Sequence, residues 1–593
     1  MDFTTPQSYY TQHKLEYETK AKQLKKQMLH ISVSRLITFL LTLGSVYATF
    51  NNWQLAVGII ILGVVIFIYL LSKYSDIKAE HTLYGILSGL NNDEIKIATG
   101  DFLGRDQGLE FQDAAHHFSL DIDLFGRGSL FQYINRTALA NGKSKLANLL
   151  MANNTNEVVE RQNAIQELSA KPKWRQFYTA HALRIQAETP SATIVHWLAE
   201  YKSFLPDIMR WLPIGFGVCS LLIIMLSFIN LNVFQTILVY WLLFGLAITG
   251  AYVKRINTLS NRSDKMKETF RQYAVLLDMI ENEVFKSKVL QNYQHQITLE
   301  SEKASQILKK ISRYLDGLDN RNNIIGAIFG NGLFLRDIWF SMRIELWIQN
   351  YGSKIEDWFN TIHFFDAYNS LGNFTFNHPE FTFPEIVDDT QVIHAKNLGH
   401  PLLNITKRVN SDLTINGEQF FIVTGANMAG KSTFLRTVAL HIVMANTGLP
   451  VCASSSTYNP VKLITSMRTT DSLTDESSYF FSELTRLKFI VDEITTAPYF
   501  VVLDEILKGT NSIDKARGSK KFVEKLVATN ATGIIATHDL SLCEIASELD
   551  EVENFYFDAE IVNDELYFDY KLKAGVCKNM NASFLLKIMN IVN

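Results

Sequence analysis

Cysteine is scarce in this chain of 593 residues. The four present, Cys219, Cys452, Cys543 and Cys577, show no paired spacing, which excludes a disulfide framework and a paired-thiol zinc site and fits buried thiols in a reducing compartment. Net charge is nearly absent too, at -4. A chain held to nucleic acid by bulk charge is thereby disfavoured, although a local basic face stays open. There is no fixed-period repeat and no low-complexity tract. No cleavable signal peptide is expected, because the first apolar run begins about thirty residues in, after a Lys-rich polar stretch, and a second run follows at once.

Lys, Arg, Asp and Glu are missing altogether from four apolar runs, Leu36–Phe50, Trp53–Ser72, Leu212–Ile229 and Val233–Tyr252. Three of them are near the ~20 residues that cross a bilayer as helix. The first reaches that length with Ile31–Arg35 included, Arg35 reaching back to the interface. They read as two transmembrane hairpins. Two buried core hairpins are the alternative, which the uncharged length and the Trp and Tyr near the ends disfavour. Lys14, Lys20, Lys22, Lys25 and Lys26 precede the first run, and Lys73 and Lys78 follow the second. Lys254, Arg255, Arg262, Lys265 and Lys267 follow the fourth, and both connecting turns lack Lys and Arg. The positive-inside tendency then places the turns outside and the remaining chain on the cytoplasmic face of a cell (inner) membrane, with the basic clusters near lipid headgroups. With no ionisable residue inside the runs, a solute or proton pathway is not indicated.

Between the hairpins, Asp121–Leu168 reads mostly as helix, with a turn at Asn153–Asn156. After the fourth run, Met266, Phe270, Tyr273, Leu277, Ile280 and Val284 recur at steps of four and three, the apolar face of a long helix. Helical patterning continues to about Gly372. "FNHPEFTFPEIVDD" breaks it, and from about Val392 short β-rich runs alternate with helices, the grammar of an α/β domain. The expected fold is multidomain: α-helical membrane hairpins and a helical core and lever region, then a C-terminal α/β domain. Its expected parts are an N-terminal cytoplasmic segment (1–30), hairpin one (31–74), a helical core (75–208), hairpin two (209–253), a long-helix lever (254–375) and the C-terminal α/β domain (376–593).

Phe420–Thr424 reads as a buried strand, and Gly425, Gly430, Lys431 and Ser432 then fit G-x-x-x-x-G-K-[ST]. In that pattern glycines let backbone N–H groups close around phosphate oxygens, Lys431 reaches the β and γ phosphates, and the Ser432 hydroxyl ligates Mg2+. The helix from Thr433 aims its N-terminus at the anion. "YFVVLDE", Tyr499–Glu505, is a second buried strand ending in two acids. Asp504 fits the metal-side carboxylate and Glu505 is placed to orient or deprotonate the attacking water. "GIIATHD" is a third strand, with His538 at its end as a γ-phosphate sensor. Residues 376–593 are therefore expected to form a P-loop ATPase domain of the ABC type, with ATP and Mg2+ as the expected cofactors.

"TGANMAGKST" resembles the variant P-loop of the MutS family of DNA mismatch-repair ATPases, including the unusual Asn427–Met428 pair. "LDEILKGTNSID" resembles that family's Walker B strand and following loop, and "LGHPLL" its entry to the ATPase domain. "DSLTDESSYFFSELTRLK" resembles the segment presented across the dimer to the other subunit's nucleotide. "LFGRGSLFQYINRTALANGKSKLANLL" resembles the family's central helical domain. The resemblance implies nucleotide contacts from Gly425, Asn427, Met428, Gly430, Lys431, Ser432 and Thr433, with Ser432 and Asp504 on the metal. It implies catalytic roles for Glu505, His538 and, in trans, Ser478, with Thr510 and Asn511 facing the partner. It further implies a homodimer in which ATP binding closes the halves and hydrolysis lets them part.

The chain also departs from the family. Its N-terminal part is a membrane hairpin with no mismatch-reading wedge, since Phe-x-Glu triplets occur only at Phe383, Phe481 and Phe522. No counterpart of the DNA clamp and no helix-turn-helix extension are expected, and Glu476 stands where a glycine is usual. The target is therefore open between DNA and an unidentified protein or membrane partner. A solute transporter of the ABC type is disfavoured by the few spans and the lack of a Leu-Ser-Gly-Gly motif.

Overall fold

The computed structural model describes residues 5–185, 189–227, 231–298, 302–319, 324–426, 428–467, 479–562 and 565–577. Through Asn377 the described chain is built on helices, and from Glu385 onward it is an α/β domain with two mixed sheets and a two-stranded ribbon.

The apolar runs are parts of far longer helices. Pro6–Ala48 has 43 residues and Trp53–Ala98 has 46, joined by the turn at 49–52, where Asn52 caps the second helix by accepting from the Leu55 amide. The expected boundaries at 74 and 253 fall inside helices. Trp53–Ala98 runs on past Ser72, and Leu231–Glu281 runs on past Tyr252, because neither junction holds a proline to stop it and the lone Gly250 is accommodated within the helix. Pro6–Ala48, Trp53–Ala98 and Val233–Glu281 are long and apolar enough to cross a membrane. The run at Leu212 forms a shorter described helix, Leu212–Ser227, of 16 residues. Leu36, Leu40, Leu43, Ile61, Leu62 and Tyr240 lie on the outside, uncovered by other parts of the chain. Arg35 lies over the rings of Phe67 and Tyr74 on the facing helix, at 5.1 and 5.5 Å.

The other halves of the first two helices dock on the helical core. Tyr17, Leu83, Leu87 and Ala180 form a small apolar cluster. Asn91 and Gln176 exchange amide hydrogen bonds, and the Tyr10 hydroxyl donates to Asn377 at 2.6 Å. Glu94 is buried. Its carboxylate accepts from Arg136 Nε at 2.5 Å and Nη2 at 3.3 Å, and from Asn377 Nδ2 at 2.9 Å. Burial works against its charge, but the Arg136 guanidinium outweighs it and holds the carboxyl below the usual range. On the fourth apolar helix, Phe270, Tyr273, Leu277 and Ile280 are fully buried, as the periodicity implies. Val284 is 74% exposed because the helix ends at Glu281.

In the α/β domain a six-stranded sheet runs in the order Leu572–Ala574, Val552–Phe557, Phe420–Gly425, Thr532–Ala536, Tyr499–Asp504, Lys462–Ser466. It is parallel except at the Leu572 edge. Phe420–Gly425 is buried along its whole length, as a strand flanked by parallel neighbours and covered on both faces must be. A second sheet orders Glu385–Ile386, Ser455–Tyr458, Gln391–Leu398 and Ser411–Asn416. The domain is stitched to the helical region mostly by side chains that reach backbone groups. Arg161 donates to the Asn446 carbonyl, Asn153 pairs with both backbone groups of Leu463, and Arg486 donates to the carbonyls of His116 and His117.

The Glu94–Arg136 pair yields a test of how the first hairpin is held. Arg136→Met strands a buried carboxylate and should cost about 3–5 kcal/mol. Adding Glu94→Leu should return most of that loss, read as denaturant midpoints of the detergent-solubilised chain. Equal stability of Arg136→Met and the parent would show that the pair does not hold the hairpin.

Candidate functional site

The loop after Phe420–Gly425 turns through three left-handed backbone positions: Gly425 at φ +147°, Met428 at +68° and Gly430 at +106°. Gly425 is required twice over. Its φ suits glycine, and a Cβ there would stand 2.7 Å from the Phe557 carbonyl oxygen. Gly430 precedes the Lys431–Thr447 helix, so the loop delivers that helix's first amides to the carboxyl ends of the parallel strands.

Lys431 is buried. Its ammonium donates to the carbonyls of Gly425 at 2.8 Å and Ala426 at 3.1 Å, and stands 3.2 Å from His538 Nε2. Burial lowers its pKa, against the pull of Asp504 and Glu505. The Ser432 hydroxyl donates to Asp504 Oδ2 at 2.6 Å. Glu505 follows at φ +50°, uncommon for a residue with a side chain. Its amide donates to the Ala536 carbonyl, which fixes the turn, and its carboxylate lies 3.7 Å from His538 Nε2 and 4.0 Å from Lys515 Nζ. Burial, then the Lys431 charge, lowers the His538 pKa, so its imidazole is neutral at neutral pH.

Lys431, Ser432, Asp504, Glu505 and His538, read from three separate sequence stretches, thus meet at adjacent strand ends. Thr433 is exposed beside them and the Met428 side chain points outward, 78% exposed. Asn427 and Ser478 lie outside the described residues, as does Glu476. Asn511 is exposed, and its side chain caps the Ser512–Ala528 helix by accepting from the Asp514 amide.

Two features were not read from the sequence. One is a cavity of about 460 Å³ beside the loop, lined by Leu398, His400, Leu403, Val409, Gly430 and Tyr570 among others. His400 sits inside the "LGHPLL" stretch, yet nothing local marks it as pocket-lining, and Tyr570 arrives from a distant strand end. The other is Glu483, buried, whose carboxylate accepts from the Lys508 amide at 3.0 Å. It ties the Tyr479–Ile494 helix to the loop that follows Glu505.

Sequence comparison places this site in a family. The profile of MutS domain V matches residues 421–593, which hold all the converging side chains. The C-terminal domain belongs to the MutS family. Over 214 residues the chain is 31% identical to MutS protein homolog 4 from Homo sapiens, covering 34% of this chain and 22% of that protein. Over 219 residues it is 32% identical to DNA mismatch repair protein MutS from Methanococcoides burtonii, covering 35% of this chain and 24% of the relative. The chain thus spans about a quarter of the length of these MutS relatives. The family match lies wholly within the α/β domain, while the long helices precede it.

His400 gives the α/β domain a pH signature. Burial, with Arg436 and Arg408 nearby, pushes its pKa from 6.5 to about 4. Protons therefore bind the unfolded chain first as pH falls, and stability is lost from about 6.5 down to about 4. Between pH 7 and 5 this one residue should cost about 1–2 kcal/mol. His400→Asn should flatten that part of the acid limb in urea titrations, and an unchanged limb would rule His400 out.

Proposed function

We propose that this chain is a membrane-anchored ATPase of the MutS type, which works as a pair of copies and couples ATP-driven closure to its helical region. The observation that carries the reading is the joint placement of Lys431, the Ser432–Asp504 pair, Glu505 and His538 at the carboxyl ends of neighbouring parallel strands. Ligands of open α/β sheets bind there.

The residues fit the triphosphate and its metal. The turn from Gly425 to Gly430 and the helix start behind it supply N–H groups suited to phosphate oxygens. Ser432 and Asp504 supply the hard oxygen ligands that Mg2+ takes alongside phosphates and waters. When bound, the ion neutralises charge on the phosphates. Lys431 exchanges the loop carbonyls for phosphate oxygens on binding, which conserves its hydrogen bonds. Glu505 orients and accepts a proton from the attacking water, and neutral His538 beside it donates to the γ-phosphate. The cavity with the Tyr570 ring and His400 suits the flat adenine base. Asn427 and Thr433 belong to the same nucleotide cradle, and Ser478 of the second copy completes it.

Three helices of spanning length, with basic residues at one end, support an anchor in a cell membrane with the α/β domain on the cytoplasmic side. For the target, the MutS relatives, one of which is named for DNA mismatch repair, favour closure on mismatched or branched DNA. The docking of the membrane hairpin on the helical core favours a second reading, an ATP-driven switch acting on protein or membrane partners.

Lys431→Ala should abolish ATP binding. Glu505→Ala should keep binding and lower turnover by at least about 100-fold, and normal turnover would remove Glu505 as the base. Mixing Lys431→Ala with Ser478→Ala protein should restore part of the activity if sites are shared, and no rescue would count against the pair. DNA affinity of the solubilised chain that falls steeply with salt favours the first target, whereas no DNA binding at low salt favours the second.

A further inference from the structure

Between the described parts of two lever helices lies a short apolar helix, Ile324–Phe334, of 11 residues. It is held against the second pair of apolar helices at close range. A Cβ on Gly245 would stand 2.2 Å from the Gly332 carbonyl oxygen, and one on Gly332 would stand 2.7 Å from Leu242 Cγ. A Cβ on Gly217 would touch the Phe334 ring at 3.4 Å. Backbones that approach through glycine are the mode by which helices pack in lipid, where no hydrophobic drive pulls them together.

The end of this helix satisfies its polar groups from protein. The Leu333 carbonyl accepts from the Ser220 hydroxyl, which in turn accepts from Trp241 Nε1 at 2.8 Å. The chain then reverses at Leu335, at φ +48°. The buried Asn331 side chain accepts from the Asp337 amide at 2.9 Å, capping the first turn of the Arg336–Tyr351 helix. A helix end in water could leave these groups to solvent. One inside hydrocarbon cannot, and reversals are tolerated there only when protein supplies the partners. The outward face carries Ile325, Ile328 and Phe329, all exposed. It continues the apolar exterior of Val218, Leu221, Val239 and Leu243 on the neighbouring helices.

We infer that Ile324–Phe334 is a re-entrant half-helix, which dips into the cytoplasmic leaflet beside the second hairpin and presents Ile325, Ile328 and Phe329 to lipid acyl chains. This rests on the membrane reading above. Its 11 residues make about 16 Å of helix, too short to cross the ~30 Å hydrocarbon layer, so it enters and returns on one side, with Arg336 at the return held by the Gly317 carbonyl at 2.7 Å. The Arg336–Tyr351 helix leaves from its end, so the lever is fastened to the bilayer within its own length as well as through the second hairpin.

The test is spin-label accessibility in the full chain, reconstituted in phosphatidylcholine nanodiscs on a Cys219→Ser background. Labels go on Ile325→Cys, Ile328→Cys and Phe329→Cys, with Val239→Cys as the span reference and Lys354→Cys as the aqueous reference. The inference expects high oxygen and low nickel-chelate collision at 325, 328 and 329, matching 239. If 239 reads as lipid while all three read like 354, the half-helix is overturned and the anchor stands. If 239 itself reads like 354, the membrane reading falls and this inference with it. Three sites on one face, each a change to a smaller side chain, keep the result independent of any single variant that fails to fold.

Discussion

The Lys431 ammonium is the point on which the α/β domain turns. A buried cation needs its charge answered by fixed oxygens, and here the carbonyls of Gly425 and Ala426 answer it, with Asp504 and Glu505 adding their field. Those bonds hold the loop in a backward curl with positive φ at Gly425 and Gly430. Three strand ends meet beside it, their register set by the parallel backbone ladders of the sheet. Thr537 donates its amide to Val423 and Glu505 donates to Ala536, so the loop, the acidic strand and the His538 strand share one hydrogen-bonded frame. A shift of any one of them would be felt by the other two.

That frame is bonded to the helical region at several places. Arg161 holds the last turn of the helix that begins at Lys431, through the Asn446 carbonyl. Thr465, on the edge strand of the sheet, donates to Asp121 at 2.6 Å. Arg486, on the helix after the segment outside the described residues, grips His116 and His117. Glu483, on that same helix, holds the loop beyond Glu505. The strand ends and the helical region are thus joined by short, directional hydrogen bonds, most of them to backbone.

What the sequence made legible follows from how local each signal is. The strand at Phe420 announces itself because burial on both faces leaves an unbroken apolar run before a glycine. The face of Phe270, Tyr273, Leu277 and Ile280 is legible because nothing polar interrupts it. The docking of Trp53–Ala98 beyond Ser72 was not legible. Its buried side includes Asn91 and Glu94, polar residues whose partners, Gln176 and Arg136, lie far along the chain. Pattern reading treats such residues as solvent-facing, and only tertiary pairing reverses that. The cavity at His400 and Tyr570 escaped for a similar reason, since its walls come from segments about 170 residues apart. Ile324–Phe334 falls within the helical patterning that runs to about Gly372, but its 11 residues are too few to stand out as a separate long apolar run.

The absence of any break in Trp53–Ala98 has a mechanical consequence. At 46 residues it is a stiff rod about 69 Å long, clamped at one end by Glu94, with no proline and with no glycine between Gly63 and Gly85. A rotation of about 5° at the clamp would sweep the far tip, near Asn52, sideways by about 6 Å for a rod of that rise per residue. Under the membrane anchor proposed above, modest swivelling around the Arg136 anchor would be felt as a sideways push among the lipids around that tip.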